Sequence, residues 1–382
     1  MDWELSPEHE DFRQVVRAFA DNEIAPNAAE WDRDHHFPLG TVRAMGDLGL
    51  FGLPFPEEYG GGGADLTTLC LAIEEIARAD QSLAITLEAA VGLGAGPIYR
   101  FGTEEQRRQW LPDLCAGRAL AAFALTEPDA GSDAAATRTT AGADRASGDW
   151  VIDGEKTFIT NSGTAITSVI TVAARTGADE VSTLLVPAGT PGLEVQPAYR
   201  KMGWHASDTH GLTFAGCRVP AANLLGERGR GTRQFLAILD DGRVAIAALA
   251  VGVVRACLEQ ATAYAKERRA FGRPIGANQA VAFACADLAV AAEAATLLTY
   301  SAAWLRDQGR PFAQAAAKAK LYATEAAVSA TRTATQVFGG YGFMDETPVS
   351  RHYRDAKVLE IGEGTSEIQR LVISRGLGLP VD

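Results

Sequence analysis

The sequence predicts an α+β multidomain protein with a helical N-terminal domain, a middle antiparallel β-barrel or sandwich, and a C-terminal antiparallel helix bundle. Three observations predict this order. At 382 residues the chain is long enough for two or three domains. Apolar residues recur at helical spacing in the first and last thirds. Short β-branched runs broken by Pro and Gly fill the middle. We therefore expect domains over residues 1–120, 121–228 and 229–382.

The N-terminal third is predicted to be helical. Residues 8–24 carry apolar side chains at helical spacing and are followed by Pro26, which cannot continue a helix. A loop is expected over 51–63, where two prolines precede four consecutive glycines. Further helices are predicted over 39–48, 66–79 and 104–115.

The middle third is predicted to form strands. Runs of β-branched and apolar residues are bounded by Pro and Gly, as is typical of a small β domain. An Asp153-Gly154 pair between two extended runs predicts a hairpin turn at that point. The expected extended runs cover 150–156, 169–174, 181–186 and 211–214.

Long Ala-rich helices are predicted after residue 229, and short loops between them indicate an antiparallel bundle. Gly242 and Gly252 lie inside the first helix, where each costs about 1 kcal/mol relative to Ala. The close approach of another helix or of a ligand would explain both glycines. The predicted helices cover 232–268, 277–306, 311–338 and 370–376.

Composition excludes several classes of protein. The net charge of −13 argues against general affinity for nucleic acid or anionic membranes. No secretion signal and no apolar run long enough to span a bilayer are recognised. The five cysteines are scattered and the six histidines form no ligand-spaced cluster, so we expect reduced thiols, a cytoplasmic location and no metal site.

Glu363 lies between two glycines, in the run Ile361-Gly362-Glu363-Gly364-Thr365-Ser366. The glycines interrupt any helix and predict a tight turn. Ser366 with Gln369 three residues later fits a capping box, so a helix is expected to begin directly after the turn. The carboxylate would then be mounted on rigid elements and could point into a cleft. The alternative is an ordinary Gly-rich turn with a solvated Glu.

A second motif, Thr126-Glu127-Pro128-Asp129-Ala130-Gly131-Ser132-Asp133, opens the strand-rich segment as a loop whose small residues let a ligand approach the main chain. Alone it could be a simple turn. Together the two motifs resemble the acyl-CoA dehydrogenase family, and the resemblance covers essentially the whole chain. Further matching stretches are Phe158-Ile159-Thr160-Asn161, Asp240 with Arg243, Arg268-Arg269-Ala270-Phe271-Gly272 with Gln279, and Gln336-Val337-Phe338-Gly339-Gly340-Tyr341-Gly342.

The resemblance implies FAD as cofactor, bound between the β domain and the C-terminal bundle. Phe158 stands where the family usually has Trp, and Ala270 stands where it often has a polar residue, so we expect one hydrogen bond to the cofactor fewer at each position. For Phe158 and Thr160, plain strand packing is the alternative. The implied cofactor residues are Phe123, Leu125, Thr126, Gly131, Ser132, Phe158, Thr160, Arg268, Phe271, Gln279, Gln336, Gly339, Gly340, Thr365 and Glu367.

By resemblance, Arg268, Phe271 and Gln279 reach the FAD of a neighbouring subunit, which implies a homo-oligomer and, by family analogy, a tetramer. A guanidinium suits this role because it binds phosphate oxygens in bidentate fashion. For Gly339 and Gly340, a helix C-cap is the alternative, and both roles can hold at once.

The resemblance also implies the reaction: removal of hydrogens from Cα and Cβ of an acyl-CoA thioester to give the trans-2-enoyl-CoA and reduced FAD. Glu363 is the implied base, and its main-chain N–H helps to hold the thioester carbonyl. Implied substrate contacts are Ser132, Asp240, Arg243 and Gly364. An ion pair of Arg243 with Asp240 on one helix face is the structural alternative for those two residues.

Three departures bear on this assignment. Some relatives carry the base near residues 240–243, but the corresponding position here is Gly242, which has no side chain. Relatives that oxidise nitroalkanes have Asp where this chain has Glu363. Many members have Tyr where this chain has Gly362, which would reshape the acyl pocket.

The expected electron acceptor is electron-transfer flavoprotein. An acyl-CoA oxidase, a dehydrogenase of carrier-protein thioesters and a flavin-free helical scaffold are the alternatives.

Overall fold

The computed structural model describes residues 5–381, and its N-terminal part is helical as predicted. Helices α4 and α7 have the predicted bounds, whereas the first predicted helix ends as an α-helix at Phe19 and continues as a wider π-turn to Ile24. The helices are α1 (Pro7–Phe19), α2 (Ala28–Asp34), α3 (Leu39–Asp47), α4 (Leu66–Ala79), α5 (Gln81–Glu88), α6 (Gly96–Phe101) and α7 (Glu104–Cys115).

Side-chain caps begin the consecutive helices α4 and α5. Asp65 accepts a hydrogen bond from the Thr68 N–H at the start of α4, and Asp80 accepts one from the Leu83 N–H at the start of α5. Each cap satisfies a backbone donor that the first helical turn leaves free. Helix α5 has no counterpart among the sequence predictions. All eight of its residues are buried, so it has no solvent-exposed face and does not show the regular alternation of a polar and an apolar face that predicts a surface helix.

A π-helical segment, Ala89–Ala95, joins α5 to α6 and lies against the β domain. A Cβ on Gly94 would come within 2.6 Å of the Ala121 carbonyl oxygen, so only glycine allows this contact. The segment therefore brings the end of α5 close to the first strand.

The middle part contains an eight-stranded sheet in the order β6-β7-β3-β2-β4-β5-β8, with β1 paired to β4. Most pairs are antiparallel as expected, but β1–β4 and β2–β4 are parallel. Its buried side chains form their own apolar core. The strands are β1 (Leu120–Ala124), β2 (Thr140–Ala143), β3 (Trp150–Thr160), β4 (Thr167–Arg175), β5 (Val181–Pro187), β6 (Leu193–Val195), β7 (Thr209–Val219) and β8 (Leu224–Leu225).

The hairpin predicted at Asp153-Gly154 is wrong, because β3 runs through this pair without turning. The pairing with β7 shifts register between Ile152 and Gly154, as at a β-bulge. Gly154 has φ 146°, and a Cβ there would lie 2.7 Å from the Thr139 Cα. The glycine therefore serves a close backbone approach rather than a turn.

The C-terminal part is a helical bundle in which α8 packs on α4, α9 and α10. A Cβ on Gly252 would lie 2.2 Å from the Glu74 carbonyl oxygen, so the predicted close helix approach is confirmed at this glycine. The elements are α8 (Gly231–Glu267), β9 (Arg269–Ala270), β10 (Arg273–Pro274), α9 (Gln279–Asp307), α10 (Ala313–Phe338), α11 (Pro348–Ala356) and α12 (Ser366–Gly376).

Within residues 5–381, three helical runs are long and apolar enough to cross a membrane by length and composition, so the expectation that no apolar run would be long enough was wrong. In Gln81–Phe101 and in α8, 78% of the most apolar window is buried inside the protein, which accounts for its apolar character. In α9 only 17% of that window is buried, so this helix presents an apolar surface outward.

Candidate active site

Glu363 lies on a strained turn just before α12. Glu363 has φ 53° and Gly364 has φ 94°, so two successive residues are left-handed. For a residue with a side chain this conformation costs on the order of 1–3 kcal/mol, and it persists only where the surroundings hold it. Lys320 Nζ and Gln369 Nε2 both donate to the Gly364 carbonyl oxygen at 2.8 Å. These two bonds hold the turn.

The helix after the turn begins with a different cap from the predicted one. Thr365 is the N-cap of α12, and its hydroxyl accepts from the Ile368 N–H. The predicted capping box of Ser366 with Gln369 is therefore wrong by one residue. Gln369 instead donates a hydrogen bond to the Gly364 carbonyl, which connects the helix to the turn that carries Glu363.

The carboxyl group of Glu363 is inaccessible to solvent, and neither oxygen has a hydrogen-bond partner meeting the usual geometry within residues 5–381. The alternative of a solvated Glu in an ordinary turn is therefore wrong. A Cβ on Gly242 would lie 2.1 Å from Oε2 of Glu363. The close approach predicted for this glycine is thus made by the side chain of Glu363.

Burial and the groups around Glu363 shift the pKa of its carboxyl in opposite directions. Burial raises the pKa of Glu363, while the neighbouring carboxyl of Glu88 and the nearby charges of Lys320 and Arg243 lower it. Burial lowers the pKa of Lys320 to about 8. Arg243 donates to Asp240 at 2.5 Å, so the ion pair named as the alternative for these residues is present. Arg243 is itself buried, which keeps its charge close to the site.

Glu88 is a site residue that the sequence analysis missed. It is the last residue of α5, is fully buried, and has both carboxyl oxygens without another partner among the described residues. The available signal was one Glu inside the apolar run Ala84-Ile85-Thr86-Leu87-Glu88-Ala89-Ala90. A lone buried carboxyl requires a partner, and α5 turns this one toward Glu363.

A buried ion pair anchors the loop that carries the second motif. Lys156 Nζ donates to Glu127 Oε1 at 2.7 Å and to the Leu125 carbonyl at 2.9 Å. The Glu127 carboxylate also accepts from the N–H groups of Arg138 and Thr139, at 2.7 and 3.0 Å. Because these bonds satisfy the pair internally, the anchor has a structural role that positions the loop.

Some candidate residues of this loop pack against the protein, and others are exposed to solvent. Phe123 packs on Phe235 with ring centroids 4.4 Å apart. Leu125 and Thr126 are half-buried, while Gly131 and Ser132 are exposed, and a Cβ on Gly131 would meet nothing within 4 Å. The loop therefore offers accessible backbone to a ligand.

Phe158 and its neighbours form an open aromatic platform. Phe158 has φ 61°, is 65% exposed, and lies 5.3 Å from Tyr199 between ring centroids. Plain strand packing is therefore excluded for Phe158, since its ring does not enter the core. Thr160 is half-buried at the end of β3, and the next residue, Asn161, donates to the Thr86 carbonyl at 3.1 Å. An exposed aromatic ring at the surface of the β domain fits a planar ring system such as the isoalloxazine.

A second set of candidate residues lies at the other end of α10. An α-helix rises about 1.5 Å per residue, so Gln336 lies roughly 24 Å along α10 from Lys320. Arg268, Gln279 and Gln336 are exposed, as are Gly339 and Gly340. Gly339, with φ 60°, ends α10, so the C-cap role is present.

A cavity of about 440 Å³ lies between the end of α8 and the end of α10. Arg268 forms part of its lining and lies over the Tyr341 ring, 5.7 Å from its centroid. Phe271, on the turn between β9 and β10, is 99% exposed with φ 53°. The residues of this set therefore face outward, away from the core. Thr365 and Glu367, at the start of α12, belong to the Glu363 end.

Sequence models of three acyl-CoA dehydrogenase domains match this chain in order: the N-terminal domain at residues 6–118, the middle domain at 122–217 and the C-terminal domain at 229–378. The Bacillus subtilis protein named "Probable acyl-CoA dehydrogenase YngJ" is 49% identical over 99% of this chain and 100% of its own length. The Bos taurus protein named "Short-chain specific acyl-CoA dehydrogenase, mitochondrial" is 45% identical over 97% of this chain and 90% of its own.

Solved structures show the same fold. Butyryl-CoA dehydrogenase from Megasphaera elsdenii superposes with a TM-score of 0.96 at 40% identity, covering 99% of this chain and 100% of that chain. A chain from a structure described as the electron transferring flavoprotein of Acidaminococcus fermentans gives 0.95 at 40% identity, covering 99% of both. An acyl-CoA dehydrogenase from Bacillus anthracis, complexed with FAD, gives 0.93 at 34% identity, covering 98% of this chain and 67% of that chain.

Proposed function

The chain belongs to the acyl-CoA dehydrogenase family and oxidises acyl-CoA thioesters with FAD, and we propose that it acts on short-chain thioesters with Glu363 as its catalytic base. The observation that carries the choice of base is the placement of Glu363. Its carboxyl is buried and has no hydrogen-bond partner among residues 5–381. It lies beside Gly242, on a turn that hydrogen bonds from Lys320 on α10 and Gln369 on α12 hold in place.

The environment of Glu363 suits removal of a weakly acidic Cα proton. Burial raises the pKa of its carboxyl, so the deprotonated form is a stronger base than a solvated carboxylate. The nearby charges of Lys320 and Arg243 still favour the ionised form, which must be present for the reaction.

The main chain of the same turn supplies a donor. No acceptor within residues 5–381 takes a hydrogen bond from the Glu363 N–H. A free N–H beside the base can donate to a thioester carbonyl oxygen as negative charge develops on it. The left-handed conformation of Glu363 thereby presents donor and base on one turn. FAD, when bound, accepts the hydride from Cβ.

Replacing Glu363 by Gln tests the base. We expect anaerobic flavin bleaching by butyryl-CoA to slow by roughly 10²–10⁴-fold, because proton abstraction is lost. FAD content should stay unchanged. Glu360→Gln is a matched control, since Glu360 lies three residues earlier and is paired with Lys357 at 2.5 Å. Full-speed bleaching by the Glu363→Gln protein would refute the assignment.

The names of the relatives support short-chain substrates. Bovine short-chain specific acyl-CoA dehydrogenase and butyryl-CoA dehydrogenase both align with nearly the whole of this chain. The measurement is the rate of anaerobic bleaching by C4, C8 and C16 acyl-CoA thioesters and by a C4 carrier-protein thioester. We expect the C4 CoA thioester to react fastest. A faster reaction with C16 or with the carrier-linked substrate would contradict the proposal.

Electron-transfer flavoprotein is the proposed acceptor. Its support is the 40% identical chain from the structure described as the Acidaminococcus fermentans protein. We expect the reduced enzyme to be reoxidised rapidly by electron-transfer flavoprotein and slowly by air. Rapid return of the yellow colour in air alone would favour an oxidase.

A homo-oligomer, by family analogy a tetramer, is also proposed. Its support is the outward apolar face of α9, where Phe283 and Val290 are 61% and 67% exposed. Such a face is costly to leave in water, and a second copy would cover it. Light scattering on the holoenzyme should give the mass of four chains, and a monomer mass would contradict this.

A further inference from the structure

Two carboxyl groups converge on one buried point in this site. A Cβ built on Gly242 would lie 2.1 Å from Glu363 Oε2 and 3.6 Å from Glu88 Oε1. A Cβ on Gly92 would lie 3.0 Å from the same Glu88 oxygen, so glycines in α8 and in the π-helical segment both make room for the pair. Neither carboxyl has another hydrogen-bond partner among residues 5–381.

Positively charged side chains lie near Glu363, whereas none is paired with Glu88 among the described residues. From α10, Lys320 approaches the turn of Glu363, and from α8, Arg243 does so together with its partner Asp240. The negative charges of Glu360, at the end of the 3₁₀ helix Lys357–Glu360, and of Glu367, on α12, act on Lys320. No Lys, Arg or His in the described chain forms an ion pair with Glu88.

This asymmetry decides which carboxyl keeps a proton. Two ionised carboxylates in contact and out of water would repel each other strongly, so one of them stays neutral. Burial and the neighbouring Glu363 raise the pKa of Glu88 well above its ordinary value. The cations near Glu363 lower the pKa of that group, so it is the one that ionises.

We propose that Glu88 is a positioning residue for the base: before substrate binds, its neutral carboxyl donates a hydrogen bond to the Glu363 carboxylate, and the two share one proton. The proposal rests on the assignment of Glu363 as the base. The bond holds the Glu363 side chain over Gly242, as the contacts of Lys320 and Gln369 hold its backbone. It also compensates a carboxylate that solvent does not reach.

The pair should titrate as a unit, in two steps that belong to both groups together. Glu88→Gln keeps a donor but removes the second ionisation. Glu88→Leu, of similar size, removes the donor as well. We expect Glu88→Gln to bleach within about tenfold of the wild-type rate and Glu88→Leu to lose at least another factor of ten. The pH profile of bleaching should show two ionisations in the wild type and one in Glu88→Gln.

Infrared difference spectra test the shared proton without turnover. In oxidised holoenzyme at pH 7 without substrate, the wild-type minus Glu88→Gln spectrum should show the carbonyl stretch of a protonated carboxylic acid. Asp355, whose pKa burial raises to about 7, provides a reference band that Asp355→Asn removes and Glu88→Gln does not. FAD content and circular dichroism confirm that each variant is folded.

A Glu88→Gln difference spectrum without this band, or a pH profile unchanged by Glu88→Gln, would overturn the shared proton. If Glu88→Leu fails to fold, the Glu88→Gln spectrum and profile still decide. Failure of the base assignment has a different signature: Glu363→Gln would then bleach at full speed whatever the infrared spectra show.

Discussion

The carboxylate of Glu363 occupies the space directly beside Gly242, where a Cβ would come within 2.1 Å of Oε2. The base on the turn and a side chain at position 242 therefore exclude each other. A side chain at position 242 on α8 and the Glu363 carboxyl on the turn would occupy the same space. Because residue 242 is glycine in this chain, the Glu363 carboxyl can occupy it. The absence of a side chain at Gly242 is therefore a steric requirement for this placement of the Glu363 carboxyl.

Gly242→Ala should separate activity from stability. Alanine favours a helix over glycine by about 1 kcal/mol, and the new methyl group clashes with the end of the Glu363 side chain, while Glu88 Oε1 at 3.6 Å is in ordinary contact. We expect anaerobic bleaching to fall by at least tenfold, because the carboxyl is displaced, while resistance to urea is kept or increased.

Gly252→Ala is the matched control on the same helix. There a methyl group would meet the Glu74 backbone oxygen at 2.2 Å, which cannot move aside easily. We expect a loss of about 1–3 kcal/mol in stability with unchanged bleaching per folded enzyme. The prediction for Gly242 fails if its alanine variant bleaches at the wild-type rate.

Lys320→Met should shift the pH dependence of proton abstraction. The charge of Lys320 lowers the pKa of Glu363, so its removal raises that pKa and the base ionises at higher pH. We expect the midpoint of bleaching against pH to move upward by on the order of one pH unit. Lys318→Met, at an exposed position two residues away, should leave the midpoint in place. A downward or absent shift for Lys320→Met would contradict the electrostatic argument.

His352 should make the fold sensitive to acid. Burial lowers its pKa to about 3, whereas an unfolded chain protonates His near 6.5. Between these values the unfolded state binds the additional proton, so the contribution of neutral His352 is complete above pH 6.5 and is lost as pH falls toward 3.

Urea unfolding of the wild type and of His352→Gln at pH 7.5, 6 and 5 measures this contribution. Below pH 6.5 the wild type should lose about 1.4 kcal/mol per pH unit relative to the variant. His36→Gln, at an exposed position, is the control and should parallel the wild type. Parallel curves for wild type and His352→Gln would show that His352 protonates normally in the fold.

Sequence patterns were sufficient to predict those helices that have one polar and one apolar face. The bounds of α4 and α7 were predicted to the residue, because capping residues and periodic apolar positions mark both helices. Helix α5 was missed because it is buried on all sides and has no periodicity. The Asp153-Gly154 pair was misassigned because a glycine that permits a close contact and one that permits a turn look the same in sequence.

The sequence alone determined the order of helical and β domains and the family, and it led to the proposal of Glu363 as the base, because these depend on local patterns and on motifs contiguous in the chain. The tertiary structure alone decided what surrounds the base. Glu88, Gly242 and Lys320 lie on three helices far apart in sequence, and no local pattern predicts that they meet at residue 363. The reason is physical: burial and electrostatic coupling depend on distance in space, which only the packing of α5, α8 and α10 around the turn sets.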